Sequence, residues 1–217
     1  MTYLIGVDDA GRGPVIGPMV LAGVLIEEKK EDFLKKVGVK DSKQIFPSTR
    51  KKIREILENK VEYFLQIISP EEIDSCNNLN TLEAERMAVI INKLSLEKKE
   101  KIKVFVDCPS NNKKKWGDLL KSLLIRKDLE LFIEHKADII YPVVSAASII
   151  AKEKREEEIE RIKRELETDF GSGYPSDPKT IEFIKKNFNN EKFKKIIRFS
   201  WESIKRLNIA EEQKKLF

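Results

Sequence analysis

The apolar positions of this chain fall into short runs bounded by turn residues, and one long stretch with helical character. Tyr3–Asp8 (YLIGVD) and Met19–Ile26 (MVLAGVLI) are nearly continuous in Val, Ile and Leu, the pattern of strands buried on both faces. The Gly- and Pro-rich segment Gly11–Pro18 joins them. Val61–Ile68 predicts a third strand, Val104–Asp107 a fourth and Leu129–Glu134 a fifth. Helices are expected over Glu28–Lys36, over Ser48–Asn59 with Ser48 as N-cap, and over Leu82–Leu94. A long helix should run from Val143 to about Leu166. Its small, apolar first half (VVSAASIIA) suits burial against a sheet, while its second half, laced with pairs such as Glu157/Arg161, should project into solvent. Asp177-Pro178 reads as an N-cap followed by proline at the first helical position. Two more helices close the chain, the last anchored by Trp201 and Leu207. Strands first and mixed βα order afterwards predict an α/β domain, a mixed sheet with flanking helices and a helical C-terminal extension.

Composition narrows the class. The 217 residues are 36% charged and 41% hydrophobic, the profile of a globular chain with an ionic surface and room for a sizeable core. No apolar stretch approaches a membrane span and the N-terminus lacks the order of a signal peptide, so a cytoplasmic location is expected. Two isolated cysteines, Cys76 and Cys108, and a single histidine, His135, argue against a zinc site and for a reducing compartment. The net charge of +5 is unevenly placed. The last 40 residues carry 11 Lys/Arg against 5 Asp/Glu, leaving the first 177 at 31 against 32. We therefore divide the chain into a near-neutral main domain, 1–177, and a basic helical extension, 178–217, which suits a polyanionic partner; a lysine-rich solvated face has the same composition.

The chemistry is carried by acids at strand ends. The first strand finishes in Asp8-Asp9 and the fourth in Asp107, and Asp138 follows the fifth within a few residues. Neighbouring parallel strands of an α/β sheet deliver their C-terminal residues to one crevice. Four carboxylates there cannot all stay ionised without cations, and all-oxygen ligation favours Mg²⁺ or Mn²⁺. Two such ions would serve phosphoryl-transfer chemistry. Each acid taken alone is equally a turn former or a helix cap. The turn Gly11-Arg12-Gly13 adds backbone N–H groups and a cation where a phosphate could sit.

Four runs together, DDAGRGPVIGP (Asp8–Pro18), KDSK (Lys40–Lys43), HKAD with PVVSAASIIAK (His135–Lys152) and GSGYPSD (Gly171–Asp177), resemble type 2 ribonuclease H in order and position, nearest to archaeal-type members. The resemblance implies a ribonuclease-H-like fold, a five-stranded mixed sheet flanked by helices. It implies a metal-dependent endonuclease acting on RNA·DNA hybrids and on DNA duplexes with embedded ribonucleotides. Such an enzyme cuts 5′ to the ribonucleotide, leaves 3′-hydroxyl and 5′-phosphate ends, and removes misincorporated ribonucleotides in DNA repair. The family's metal acids map onto Asp8, Asp9, Asp107 and Asp138, and its substrate-reading residues onto Gly11, Arg12, Gly13, Lys43 and Tyr174. Tyr174 would stack on the sugar of the deoxynucleotide after the ribonucleotide.

One position departs from the family. Its second acid is usually glutamate, and here it is Asp9, one methylene shorter. The alternative reading is therefore a catalytically attenuated protein that binds RNA·DNA duplexes. The P-loop spacing that would mark a nucleotide cradle at Gly11–Gly17 is absent. The C-terminal Gln213, Leu216 and Phe217 resemble a shortened sliding-clamp-binding peptide, and a monomer is expected.

Overall fold

The computed structural model describes residues 1–39 and 45–207. Five strands form one sheet: β1 (Thr2–Ala10), β2 (Met19–Glu27), β3 (Glu62–Ile68), β4 (Lys101–Asp107) and β5 (Glu130–Glu134). Their order is β3-β2-β1-β4-β5. β1 runs antiparallel to β2, with Asp8 opposite Ala22, and parallel to β4, with Val7 opposite Val106. β4 and β5 are parallel. The sheet is thus mixed, as the order of the runs predicts, and β1 and β4 bring their acidic ends side by side.

The chain packs as two compact units. The first comprises Met1–Ala10, Val20–Gln66 and Asn78–Lys154 and holds most of the sheet. Its core joins alternate residues of β1 (Leu4, Ala10) and β2 (Val20, Ala22, Val24, Ile26) to the first half of helix α7. Helix α7 is preceded by α1 (Glu31–Val37), α2 (Pro47–Glu58), α3 (Pro70–Ser75), α4 (Leu79–Ser95), α5 (Lys113–Leu123) and α6 (Ala137–Ile140), and itself spans Pro142–Glu165. Its residues Val143, Val144, Ala146, Ala147, Ile149, Ile150 and Ala151 are fully buried. Small side chains let this helix lie close to β1, and Gly6 makes the closest approach. A Cβ placed on Gly6 would sit 2.3 Å from the Val143 carbonyl carbon and oxygen, a distance that no side chain tolerates.

The second unit comprises Gly11–Met19, Ile67–Asn77 and the chain from Arg155 onward. Its core is aromatic: Phe170 and Phe183 have ring centroids 5.7 Å apart, and Phe183 meets Phe193 edge-on at 5.0 Å. Val15, Ile16, Ile159, Ile162 and Ile197 complete it. Helix α8 (Pro178–Asn187) opens as the sequence predicts, with Asp177 accepting from the Lys179 N–H at 2.9 Å and proline in the first turn. α9 (Glu191–Lys194) and a last helical run, 202–207, follow, and Trp201 and Leu207 pack on this core.

Several expectations need correction. The helix expected over Glu28–Lys36 is a 3-10 turn, Glu28–Lys30, followed by α1, which ends at the left-handed Gly38 (φ 89°). Helix α2 starts at Pro47 rather than being capped by Ser48, because proline already has the backbone angle of a first helical residue and no N–H to satisfy. Helix α4 begins three residues earlier than its apolar pattern, where the Asn78 side chain accepts from the Thr81 N–H. The sequence reading passed over α3, α5 and α6. The second half of α7 does not simply project into solvent: Arg155, Glu158, Ile159 and Ile162 are buried. Among the described residues, no helix is long and apolar enough to cross a membrane.

Candidate active site

In the first unit, strand pleating sorts the acids. Leu4, Gly6, Asp8 and Ala10 alternate onto the α7 side of β1, and the register of β1 with β4 sets Phe105 and Asp107 on that side too. Asp8 is almost wholly buried, at 5% exposure. Its Oδ1 accepts from the Asp9 N–H at 2.7 Å, and the buried Ser148 hydroxyl of α7 bonds its carboxylate. These bonds do not offset the loss of water. Burial first, then the charges of Asp9 and Asp107, hold the Asp8 carboxyl well above the usual carboxylate range.

Asp107 is half-buried. Its Oδ1 accepts from the Ala137 N–H at 2.8 Å, where the left-handed Lys136 (φ 58°) turns the chain into α6. Burial still raises its pKa, the Ala137 N–H opposes this, and the charge of Asp138 raises it again. The structure thus links the four acids in one chain of repulsions: Asp9 and Asp107 act on Asp8, and Asp138 acts on Asp107. Among the described residues, no three acid, histidine or cysteine side chains are drawn together tightly enough to hold an ion as they stand. The donor set itself, all oxygen and partly desolvated, fits Mg²⁺ or Mn²⁺.

The remaining named residues fall elsewhere. Lys43, and Gln213, Leu216 and Phe217, lie outside the described residues. Gly11, Arg12, Gly13 and Tyr174 belong to the second unit. Gly11 has φ 89°, which favours glycine, and the Arg12 carbonyl accepts from Arg198 Nη1 at 3.2 Å. The loop carrying Tyr174 is firmly built. Left-handed Gly171 and Gly173 bracket Ser172, whose N–H and hydroxyl donate to Asp177 Oδ2 at 2.7 and 2.8 Å. The Gly173 N–H donates to Thr180 Oγ1 at 3.0 Å, and its carbonyl accepts from Val15 at 2.8 Å and Ile16 at 3.2 Å. These bonds hold the glycine turn and the tyrosine loop together. Tyr174 is 41% exposed, and a Cβ on Gly13 would lie 3.7 Å from its Cε1.

His135 sits beside Asp107 and its Nδ1 faces the Cys108 carbonyl at 3.1 Å. Sequence reasoning missed Ser148 and Arg155. Ser148 had a signal, a hydroxyl inside an otherwise apolar helical stretch. A cleft of about 570 Å³ lined by Ile26, Phe33 and several lysines lies at the end of β2 remote from Ala22, the partner of Asp8, and holds no acid cluster.

A five-stranded mixed sheet with acids at the ends of two adjacent parallel strands is the architecture of a ribonuclease-H-like fold. The sequence model of the family Ribonuclease HII matches residues 5–204. A Ribonuclease HII from Pyrococcus furiosus is 41% identical, over 97% of this chain and 93% of its own length. The crystal structure of ribonuclease H2 from Pyrococcus horikoshii superposes with a TM-score of 0.85 at 39% identity, covering 97% of this chain and 99% of the other. A ribonuclease HII solved in complex with PCNA, from Archaeoglobus fulgidus, gives 0.80 at 37% identity, over 92% and 95%. The chain belongs to the ribonuclease HII family and is a ribonuclease H, an endonucleolytic hydrolase.

Proposed function

We propose that this enzyme nicks duplex DNA on the 5′ side of an embedded ribonucleotide and cleaves the RNA strand of RNA·DNA hybrids, leaving 3′-hydroxyl and 5′-phosphate ends. The observation that carries this is Asp8, buried at 5% exposure, with the charges of Asp9 and Asp107 opposing its ionisation, so that a cation would relieve it. Asp8, Asp9, Asp107 and Asp138 would hold Mg²⁺ or Mn²⁺, two ions during catalysis. When bound, such ions supply an activated water and stabilise the leaving oxygen. The protein's part is to fix the ligands: Ser148 and the Asp9 N–H orient Asp8, and the Ala137 N–H orients Asp107.

Gly11, Arg12 and Gly13 read the 2′-hydroxyl and adjacent phosphates, the group by which RNA differs from DNA at a given site. Tyr174 presents an exposed aromatic face on a rigid loop and packs on the sugar that lacks the hydroxyl. Lys43 contacts phosphate, and the basic extension 178–217 adds sequence-independent affinity. This activity removes ribonucleotides misincorporated into DNA. The Archaeoglobus relative is known in a complex with PCNA; we include a clamp partner held through Gln213, Leu216 and Phe217 in this proposal, tested by loss of clamp affinity on deleting 213–217.

The test of the main reading is incision of an end-labelled DNA duplex containing one ribonucleotide, with Mg²⁺, with Mn²⁺ and with EDTA. The expected result is a metal-dependent nick 5′ to the ribonucleotide. Binding without scission under either metal would instead support an attenuated duplex-binding protein.

A further inference from the structure

Two arginines of the second unit stand behind the glycine turn, and they are held in different ways. Arg198 is fully buried and hydrogen-bonded, with Nε donating to the Gly17 carbonyl at 2.9 Å and Nη1 to that of Arg12. Arg155 is 8% exposed, yet its Nε and Nη2 are shut off from water without a hydrogen-bond partner among the described residues. Buried guanidinium groups left so are rare, because each unmet donor carries its full desolvation cost. The Arg155 pKa is lowered by that burial.

What Arg155 does touch is specific. Its guanidinium carbon lies 5.5 Å from the centroid of the Tyr174 ring, within cation–π range. A Cβ on Gly11 would meet its Cδ and Nε at 2.4 Å, so the bare backbone of Gly11 rests on the side chain. A Cβ on Gly173 would lie 3.7 Å from its Nη2. One cation therefore lies against the first residue of the glycine turn and the tyrosine ring, and close to the loop glycine before Tyr174.

We infer that Arg155 is a positioning residue for recognition of the ribonucleotide-to-deoxyribonucleotide step, setting the Tyr174 ring against the Gly11–Gly13 turn. This rests on the roles proposed above for Tyr174 and the turn. At Nε and Nη2 no hydrogen bond shares the buried charge, and Tyr174 and Glu156 are the groups that favour it, so ring orientation and the seat of the turn are tied to one side chain. A phosphate contact is disfavoured because the two unpaired nitrogens are closed to solvent.

The experiment compares kcat/KM on a duplex with one ribonucleotide and on a continuous RNA·DNA hybrid, for wild type, Arg155→Met, Arg155→Lys, Tyr174→Ala and the double variant Arg155→Met/Tyr174→Ala. The expected result is an about tenfold fall in the single-ribonucleotide-to-hybrid ratio for Arg155→Met, the size of a desolvated cation–π contact. The double variant should fall no further than Tyr174→Ala, because both changes remove one interaction. An unchanged ratio, or fully additive losses, would overturn the inference. So would equal losses on both substrates with a shallower salt dependence, the signature of a phosphate contact. If Arg155→Met does not fold, Arg155→Lys keeps the charge without the flat guanidinium face, and an unchanged ratio in that variant overturns the inference equally. Failure of the wider reading is distinguishable: wild type would then make no nick at the ribonucleotide, or Tyr174→Ala would leave the ratio unmoved.

Discussion

The sheet ends of the first unit and the glycine turn of the second carry opposite electrostatic problems. In the first, carboxylates crowd Asp8 and Asp107 in surroundings that raise their pKa values, with Ser148 and backbone N–H groups as partial relief. In the second, two buried arginines back a turn of bare backbone, and the Nε and Nη2 donors of Arg155 have no acceptor among the described residues. An acid-crowded site is relieved by a cation, whereas an arginine-backed turn suits a polyanion. The activity proposed above would draw on a cation at the first and a polyanion at the second.

The largest effect expected is at the acid end. Asp107→Asn should abolish incision while sparing hybrid binding, measured by gel incision beside fluorescence anisotropy. Incision that survives would remove Asp107 from the metal set. Next comes the approach that positions the acids: Gly6→Ala should cost about 3 kcal/mol, since its Cβ meets backbone that cannot move aside. Urea unfolding reads this, and an unchanged midpoint would show that α7 is free to shift from β1.

At the turn, Tyr174→Ala should lower the single-ribonucleotide-to-hybrid ratio about tenfold, as for a lost stacking contact of roughly 1.4 kcal/mol. Asp9→Glu asks whether the shorter acid limits the first unit; incision at limiting Mg²⁺ should rise severalfold. No gain at any metal concentration would show that aspartate serves as well as glutamate here.

The smallest effect concerns the loop that presents Tyr174. Hydrogen bonds from the Ser172 N–H and hydroxyl lower the Asp177 pKa from 3.8 to about 2, and Lys179 and the Gly171 N–H lower Asp169 likewise. A depressed folded-state pKa means stability that is fully present above about pH 4 and lost as pH falls through about 2. Asp177→Asn should flatten the acid limb of thermal stability in that window, and an unaltered limb would place the acid sensitivity elsewhere.

The contrast between the two units also explains what the sequence revealed. The strands with acidic ends were legible because an apolar run ending in Asp shows both burial and chemistry locally. The Asp177-Pro178 helix start was legible for the same reason. Ser148 was not, because apolar patterning says that a helix face is buried without saying which strand residue it meets. Arg155 was hidden by the charge pairs around it. Yet Arg155, Glu158, Ile159 and Ile162 recur at helical spacing, and one face of a highly charged helix is buried. Helices α3 and α6 are too short for periodicity to show, and α3 is marked instead by its Ser69/Glu72 capping box.

Whether the four acids form a metal site can be read without turnover. Thermal unfolding would be followed in EDTA and with increasing Mn²⁺ for the wild type and Asp107→Asn. Mn²⁺ should raise the wild-type midpoint progressively, as a ligand of the folded state must, and Asp107→Asn should lose most of that gain. Equal gains in the two proteins, or none in the wild type, would contradict such a site.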